Sequence, residues 1–175
     1  MRLKFCLLCS LSTLLLSAAA LLVAGCGNTE HDSTLDVVYN PCEPLNIEVQ
    51  GEADADQLAS VDEALAMWNQ LAPVALNREA ADAATTIPVR FESGAPMLHG
   101  YYEDETGEVI INRSLSDERA RAITVAHELG HAFGLRHVAA KKRSSLMNSG
   151  NLDTGLTDAD ADALLLRWND CAAAM

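Results

Sequence analysis

The stretch that decides both the fold and the chemistry spans residues 127–137 and reads His-Glu-Leu-Gly-His-Ala-Phe-Gly-Leu-Arg-His. His127 and His131 are four residues apart, so on a helix both imidazoles project from one face and can share a metal ion. Gly134 can adopt a left-handed conformation and end the helix, so that the chain turns back and His137 supplies a third nitrogen. The spacing therefore predicts a metal site at the end of a helix.

This metal site has the features of a catalytic one. Three neutral imidazoles leave the fourth tetrahedral position of Zn²⁺ open for water, which is typical of catalytic zinc and not of structural zinc. Glu128 directly follows the first ligand, where its carboxylate can reach that water without binding the metal. A His-Glu-x-x-His match alone also occurs by chance on solvated amphipathic helices. The turn-forming glycine and the third histidine at the required spacing favour the metal site.

Hydrophobic periodicity around this stretch predicts one α+β domain with a small mixed sheet and three helices. The acidic, Gly-containing segment 103–107 indicates a hairpin between the last two strands. The expected strands span residues 45–49, 87–91, 97–102 and 108–112. The expected helices span residues 54–71, run from Ser116 to Gly134, and begin near Thr157. Asp160 is expected in the capping box of the last helix, and its expected buried residues are Ala161, Leu164, Leu165 and Trp168.

Residues 127–137 resemble the extended zinc signature of the metzincin metallopeptidases, and Ser145-Leu146-Met147-Asn148 is similar to their Met-turn. Within that clan the matrixins are the most similar. Residues 98–102 are similar to their edge strand, residues 107–110 to the strand after it, and residues 155–158 to the start of their last helix. The resemblance covers about residues 45–171 and is specific at the zinc motif. It implies a metzincin-like catalytic domain, with an active-site helix that ends at a Gly turn and a Met-turn after it.

The resemblance also implies a role for each site residue. His127, His131 and His137 would hold one catalytic zinc ion, Glu128 would be the general base, and Met147 would form an apolar floor under the metal. A peptide would bind as an added strand along the edge strand, and the loop at residues 148–153 would provide selectivity. The strand residues expected at the substrate are Leu98, His99, Gly100 and Tyr101.

Departures from the matrixin pattern limit this transfer. Val138 stands where matrixins usually have serine, and Ile110 stands where a histidine would bind a second, structural zinc. We therefore expect one zinc ion, with His99 on the strand surface and not a ligand. The Asp-rich segment 153–160 could offer oxygen ligands to calcium, but acidic residues at a helix start are more often caps, so calcium is without support.

The site predicts a zinc-dependent endopeptidase that acts on peptides or proteins. Two other classes stay open: a surface-tethered binding lipoprotein whose zinc only holds a loop, and a zinc amidohydrolase that acts on non-peptide amides. The first of these would not need Glu128. The basic run Lys141-Lys142-Arg143 could recognise acidic substrates, but a solvated loop in an acidic protein is the simpler interpretation.

Composition and the N-terminus bear on partners and location. The 175 residues include 12 Lys+Arg and 25 Asp+Glu, and the resulting net charge of −13 disfavours nucleic acid as a partner. The length fits a single domain, which we expect to be a monomer. Arg2 and Lys4 precede an apolar run, which indicates a signal peptide over residues 1–25. Val23-Ala24-Gly25-Cys26 resembles the bacterial lipobox, in which the cysteine is lipidated.

The resemblance implies an exported protein with a lipid anchor in a bacterial membrane, facing the periplasm or the cell surface. Gly27 after the cysteine favours the outer membrane, and a plain transmembrane anchor is the alternative. The polar residues 26–41 predict a flexible tether before a domain over residues 42–175. Cys42 and Cys171 are the cysteines left after processing, and an oxidising compartment favours a disulfide between them. The alternative is a Cys42 thiolate that caps the metal in a latent enzyme.

Overall fold

The computed structural model describes residues 35–78, 85–169 and 171. The predicted signal peptide over residues 1–25, the predicted lipidation site Cys26 and the first part of the predicted tether lie outside the described residues. None of the helices in the described ranges combines the length and the hydropathy needed to cross a membrane.

The described chain forms a five-stranded mixed sheet and three helices, which confirms the predicted fold class. The strands lie in the order β2-β1-β3-β5-β4, and β4 is antiparallel to β5 while the other pairs are parallel. In chain order the elements are β1 (Leu45–Gln50), α1 (Ala55–Leu71), β2 (Leu76–Asn77), β3 (Thr85–Glu92), β4 (Gly100–Glu103), β5 (Glu108–Asn112), α2 (Glu118–Ala132) and α3 (Asp158–Arg167).

The core lies between the sheet and the helices. Alternate apolar residues of β1, β3 and β5 are in register, so that Val89 aligns with Val49 on one side and with Val109 on the other. Trp68 of α1 is fully buried, and its indole Nε1 donates to the carbonyl oxygen of Ala126 in α2 at 3.0 Å. These contacts hold α2, the helix that carries the histidine motif, against both α1 and the sheet.

Several boundaries differ from the predicted ones. The edge strand β4 begins at Gly100 and not at residue 97, and the two-residue strand β2 was missed because it is too short to show a period. The cap of α2 is Asp117 and not Ser116, since the Asp117 carboxylate accepts a hydrogen bond from the Ala120 N–H at 2.7 Å. On α3 the expected Leu165 is only half-buried, because the helix buries a narrower stripe.

The end of the predicted tether is attached to the domain. The backbone N–H of Val37 donates to the Asp104 carbonyl at 3.0 Å, and that of Tyr39 donates to the Ala132 carbonyl at 2.8 Å. Pro41 is buried. The prediction of a flexible tether up to residue 41 is therefore wrong at its C-terminal end, where the chain is apolar: Val37 contacts Gly107, and Tyr39 packs against the core.

A disulfide joins Cys42 to Cys171, with 4.8 Å between their Cα atoms, which confirms the predicted pair. The cross-link spans 129 residues and ties the start of the domain to the segment after α3. A loop of this size corresponds to about 4–5 kcal/mol of stabilisation in the chain-entropy model.

Candidate active site

The three predicted histidines meet at one point. The Nε2 atom of His137 lies 3.1 Å from Nε2 of His127 and 3.2 Å from Nε2 of His131. Two nitrogens that bind the same tetrahedral zinc at 2.0–2.1 Å are separated by roughly 3.3 Å. The three side chains therefore fit a shared zinc ion, and they form a group of potential metal ligands within the described residues.

Backbone carbonyls orient two of the three imidazoles. The Nδ1 atom of His127 lies 2.7 Å from the carbonyl oxygen of Leu146, and Nδ1 of His131 lies 2.9 Å from that of Leu135. A carbonyl oxygen can only accept, so each Nδ1 carries the proton and each Nε2 presents its lone pair to the shared centre. Such partners behind the ligands are typical of metal-binding histidines.

Burial keeps the histidines in the neutral form that a metal ligand needs. Desolvation, as the largest cause, together with the nearby imidazoles lowers the pKa of His127 to about 4 and that of His131 to about 3. Desolvation also lowers the pKa of His137, which is the most exposed of the three. All three imidazoles are therefore neutral near pH 7.

A glycine turn brings His137 to the other two histidines, as the sequence predicted. Gly134 has a φ of 83°, its N–H donates to the His131 carbonyl at 2.7 Å, and the Leu135 N–H donates to the Gly130 carbonyl at 2.8 Å. This pair of bonds is the Schellman motif of a helix C-terminus. The chain then reverses, and Val138 pairs with Asn148 in an isolated parallel bridge.

Met147 lies beneath the active-site helix. Its side chain is 1% exposed, and a Cβ atom placed on Gly130 would come within 2.5 Å of its sulfur. A glycine between the two helical ligands is what lets the Met-turn approach α2 so closely. The role of Met147 as an apolar floor under the metal stays a prediction.

Glu128 lies on the opposite side of the helix from solvent, facing strand β4. It is 6% exposed, and its carboxyl group accepts a hydrogen bond from the backbone N–H of Tyr102. Burial raises the pKa of Glu128 to about 8, while the Tyr102 N–H acts to lower it. The sequence pattern placed Tyr102 at the end of the substrate strand but did not link it to Glu128, because the contact joins residues 26 positions apart and leaves no local pattern.

Asp160 is a second residue that was missed as part of the site. Its fully buried carboxylate accepts hydrogen bonds from the Ser145 hydroxyl, from the Leu146 N–H at 2.9 Å and from the Thr157 hydroxyl at 2.7 Å. Since the Leu146 carbonyl in turn accepts from His127, Asp160 holds the Met-turn and, through it, the first histidine. The capping box was visible in the sequence, but the bonds to residues 145 and 146 were not.

The predicted substrate strand is only partly a strand. Leu98 and His99 precede β4, while Gly100 and Tyr101 lie within it. The Asn112 N–H donates to the His99 carbonyl at 2.8 Å, so in this antiparallel pair the backbone groups of odd-numbered residues face β5. The backbone N–H and carbonyl groups of Gly100 and Tyr102 face the open edge, and the Tyr102 N–H interacts with Glu128.

The segments on either side of the Met-turn are held by side-chain hydrogen bonds. The Asn148 amide donates to the carbonyls of Val138 and Arg143 at 2.8 and 3.2 Å, which fixes the start of the predicted selectivity loop. An Arg143 guanidinium nitrogen lies 3.6 Å from the Asp160 carboxylate, whereas Lys141 and Lys142 are exposed. Arg143 thus contributes to the support of the Met-turn.

The mixed sheet, the helix with two histidines and the third histidine after a glycine turn define a zinc metallopeptidase of the metzincin type. The family model "Metallo-peptidase family M12B Reprolysin-like" matches residues 28–138, and the chain belongs to this family. The match ends just after His137 and includes the whole zinc motif. The resemblance to metzincins is thereby confirmed, with a reprolysin-like and not a matrixin model as the match.

Solved structures share the fold. The crystal structure of myroilysin is 14% identical, with 75% of this chain and 86% of that chain covered at a TM-score of 0.52. High choriolytic enzyme 1, a hatching enzyme zinc-protease from the medaka fish Oryzias latipes, is 12% identical, with 78% and 94% covered at a TM-score of 0.51. At these identities the likeness concerns the fold alone. A comparison with curated proteins finds no significant match.

Proposed function

We propose that the protein is a zinc-dependent endopeptidase in which Glu128 is the general base. The observation that carries this proposal is the convergence of three Nε2 atoms at 3.1–3.2 Å, next to a buried carboxylate on the same helix. His127, His131 and His137 would hold the metal. When bound there, zinc supplies a Lewis acid that acidifies water and polarises the carbonyl of a peptide.

The remaining chemistry belongs to side chains and backbone of the protein. Glu128 accepts a proton from the attacking water and delivers it to the amine nitrogen as the peptide C–N bond breaks. The Tyr102 N–H holds the carboxyl group beside the open edge of β4, where a substrate strand would lie. The backbone groups of Gly100 that face this edge would pair with the substrate.

The decisive test replaces the proposed base and leaves the ligands intact. We expect Glu128→Ala to keep one equivalent of zinc and to lose about a hundredfold to ten-thousandfold in peptide hydrolysis. His131→Ala is the matched control on the same helix and should lose zinc as well as activity. Metal analysis and a peptide-library cleavage assay on both variants provide the two readouts.

The opposite outcomes would identify the other classes. Absence of peptide hydrolysis in both the wild-type protein and Glu128→Ala, with zinc bound in each, would favour a binding lipoprotein. Hydrolysis of a non-peptide amide without any peptide cleavage would favour an amidohydrolase. Cleavage that continues unchanged in Glu128→Ala would contradict the assigned base.

We also propose that the protein is exported and anchored by lipid at Cys26. The layout of residues 1–27 supports this, and so does the disulfide, because such bonds persist in oxidising compartments. Mass spectrometry of the mature protein should find a diacylglyceryl group on Cys26. Cys26→Ser should release the protein from the membrane fraction, and retention of that variant would contradict the lipid anchor.

A further inference from the structure

Residues 37–39, here called the strap, connect the end of strand β4 to the end of helix α2, the two elements beside which a substrate would lie. Strand β4 has an open edge, and α2 carries Glu128 and two of the histidines. The strap bonds to the β4 side through the Val37 N–H and the Asp104 carbonyl, and to α2 through the Tyr39 N–H and the Ala132 carbonyl. Asp104 directly follows β4, and Ala132 directly follows the ligand His131.

The strap is fixed by side chains as well as by its backbone. The Tyr102 hydroxyl donates to the Val37 carbonyl at 2.9 Å, and the Tyr39 hydroxyl donates to the Gly107 carbonyl at 3.0 Å. Gly107 is approached so closely that a Cβ atom there would lie 2.3 Å from the Tyr39 hydroxyl and 2.9 Å from a Val37 methyl group. Burial, as the larger cause, and the nearby Glu108 carboxylate raise the pKa of Tyr39, so its hydroxyl stays protonated as a donor.

The disulfide continues this attachment along the chain. Cys42 is three residues beyond Tyr39 and is bonded to Cys171. The strap is therefore held at Asp104, at Ala132, at the β4–β5 turn and, just beyond its end, by a covalent link. Four attachments along so short a segment describe a fixed part of the domain.

The strap occupies the next pairing position of the open edge. Backbone groups of every second residue face that edge, so a substrate strand that pairs with Gly100 and with the Tyr102 carbonyl would next reach Asp104. The Asp104 carbonyl already accepts from the Val37 N–H. Asp104 is two residues, or about 6–7 Å along an extended strand, beyond Tyr102, the residue of β4 whose N–H interacts with Glu128.

We propose, on the basis of the proposed peptidase function, that the strap closes one end of the substrate cleft and limits how many substrate residues fit on that side of the cleaved bond. A peptide that pairs antiparallel to β4, the more stable arrangement, has its N-terminal side at the strap. The preferred substrates then carry about two residues before the cleaved bond. Longer N-terminal extensions must displace the strap or leave the strand edge.

The test uses zinc-loaded protein and peptides that share one cleaved sequence. One series has two, four or eight residues before the cleaved bond, and the control series varies the number of residues after it. We expect the wild-type protein to cleave the peptide with eight preceding residues about tenfold more slowly than the one with two, whereas C-terminal extension leaves the rate unchanged. The measured quantity is the ratio of kcat/KM values.

A strap variant then tests the cause of this ratio. Val37→Pro removes the N–H that donates to the Asp104 carbonyl. We expect it to lower the ratio of kcat/KM for the peptide with two preceding residues to kcat/KM for the one with eight by about three- to tenfold, the effect of one backbone hydrogen bond. Val38→Pro is the matched control, because the Val38 N–H has no hydrogen bond to another described residue. The circular dichroism spectrum and the rate on the peptide with two preceding residues check that Val37→Pro is folded, so that an unchanged ratio in the folded variant counts against the strap.

The outcomes separate this inference from the proposed function. Equal rates for short and long N-terminal extensions in the wild-type protein would overturn the inference, and so would a ratio that Val37→Pro does not change. Both results require a working peptidase. If the wild-type protein cleaves none of the peptides, the proposed function itself fails.

Discussion

At the scale of single residues, Asp160 both caps helix α3 and holds the Met-turn of the site. Its carboxylate serves α3 through Thr157 and the Met-turn through Ser145 and Leu146. Removal of a partner from a buried network of this kind leaves donors unsatisfied. The first histidine depends on this network, because its Nδ1 donates to the Leu146 carbonyl.

We predict that Asp160→Asn lowers the free energy of unfolding by about 2–3 kcal/mol, since one charged acceptor with several donors is lost. Zinc should also bind more weakly, because the Leu146 carbonyl no longer holds His127 in place. Denaturant unfolding and a zinc-competition titration measure the two effects. Asp158→Asn, an exposed change in the first turn of the same helix, is the control and should alter neither by much. Equal behaviour of the two variants would contradict the role given to Asp160.

At the scale of an element, the C-terminus of α2 determines whether three ligands meet. Gly134 has a positive φ, and a Cβ atom there would also run into the Arg167 guanidinium at 2.1–2.5 Å. Substitution at this position therefore has a conformational cost, and it also requires the exposed Arg167 side chain to move. Any shift of the turn moves His137, which follows it by three residues.

We predict that Gly134→Ala destabilises the fold by about 1–3 kcal/mol and lowers zinc affinity at least tenfold. Gly150→Ala is a matched control: Gly150 has a φ of 69°, but nothing lies within 4 Å of an added Cβ. That control should show the backbone cost of about 1 kcal/mol with zinc affinity unchanged. Thermal unfolding and metal titration distinguish the two effects. Normal zinc binding by Gly134→Ala would show that the turn does not set the position of His137.

At the scale of the whole molecule, the disulfide joins the beginning and the end of the domain. Its two cysteines bracket every strand and helix of the described chain. None of the hydrogen bonds described for the three histidines involves Cys42 or Cys171. Stability and metal binding should therefore respond differently to its loss.

We predict that the double variant Cys42→Ser and Cys171→Ser loses up to about 4–5 kcal/mol of unfolding free energy. Zinc stoichiometry should remain one per chain wherever the variant is folded. Calorimetry with and without reductant, and metal analysis at a temperature below the transition, measure these quantities. An unchanged melting temperature on reduction would indicate that the bond contributes little to stability.

The sequence by itself determined the parts of this protein that depend on short-range spacing. The four-residue interval between His127 and His131, the left-handed preference of Gly134 and the alternation in β1 and β3 all act within one or two turns of chain. The pairing of Cys42 with Cys171 followed from counting the cysteines that remain after export.

Only the tertiary structure decided which distant groups complete the site. Tyr102 meets Glu128, Asp160 reaches the Met-turn, and Val37 closes on Asp104 because the packing of sheet and helices brings separate segments together. Buried donors and acceptors must find partners, and which partner is near depends on the whole fold. The attachment of residues 37–41 was missed although Val37, Val38 and Tyr39 are apolar, because so short an apolar run shows no period.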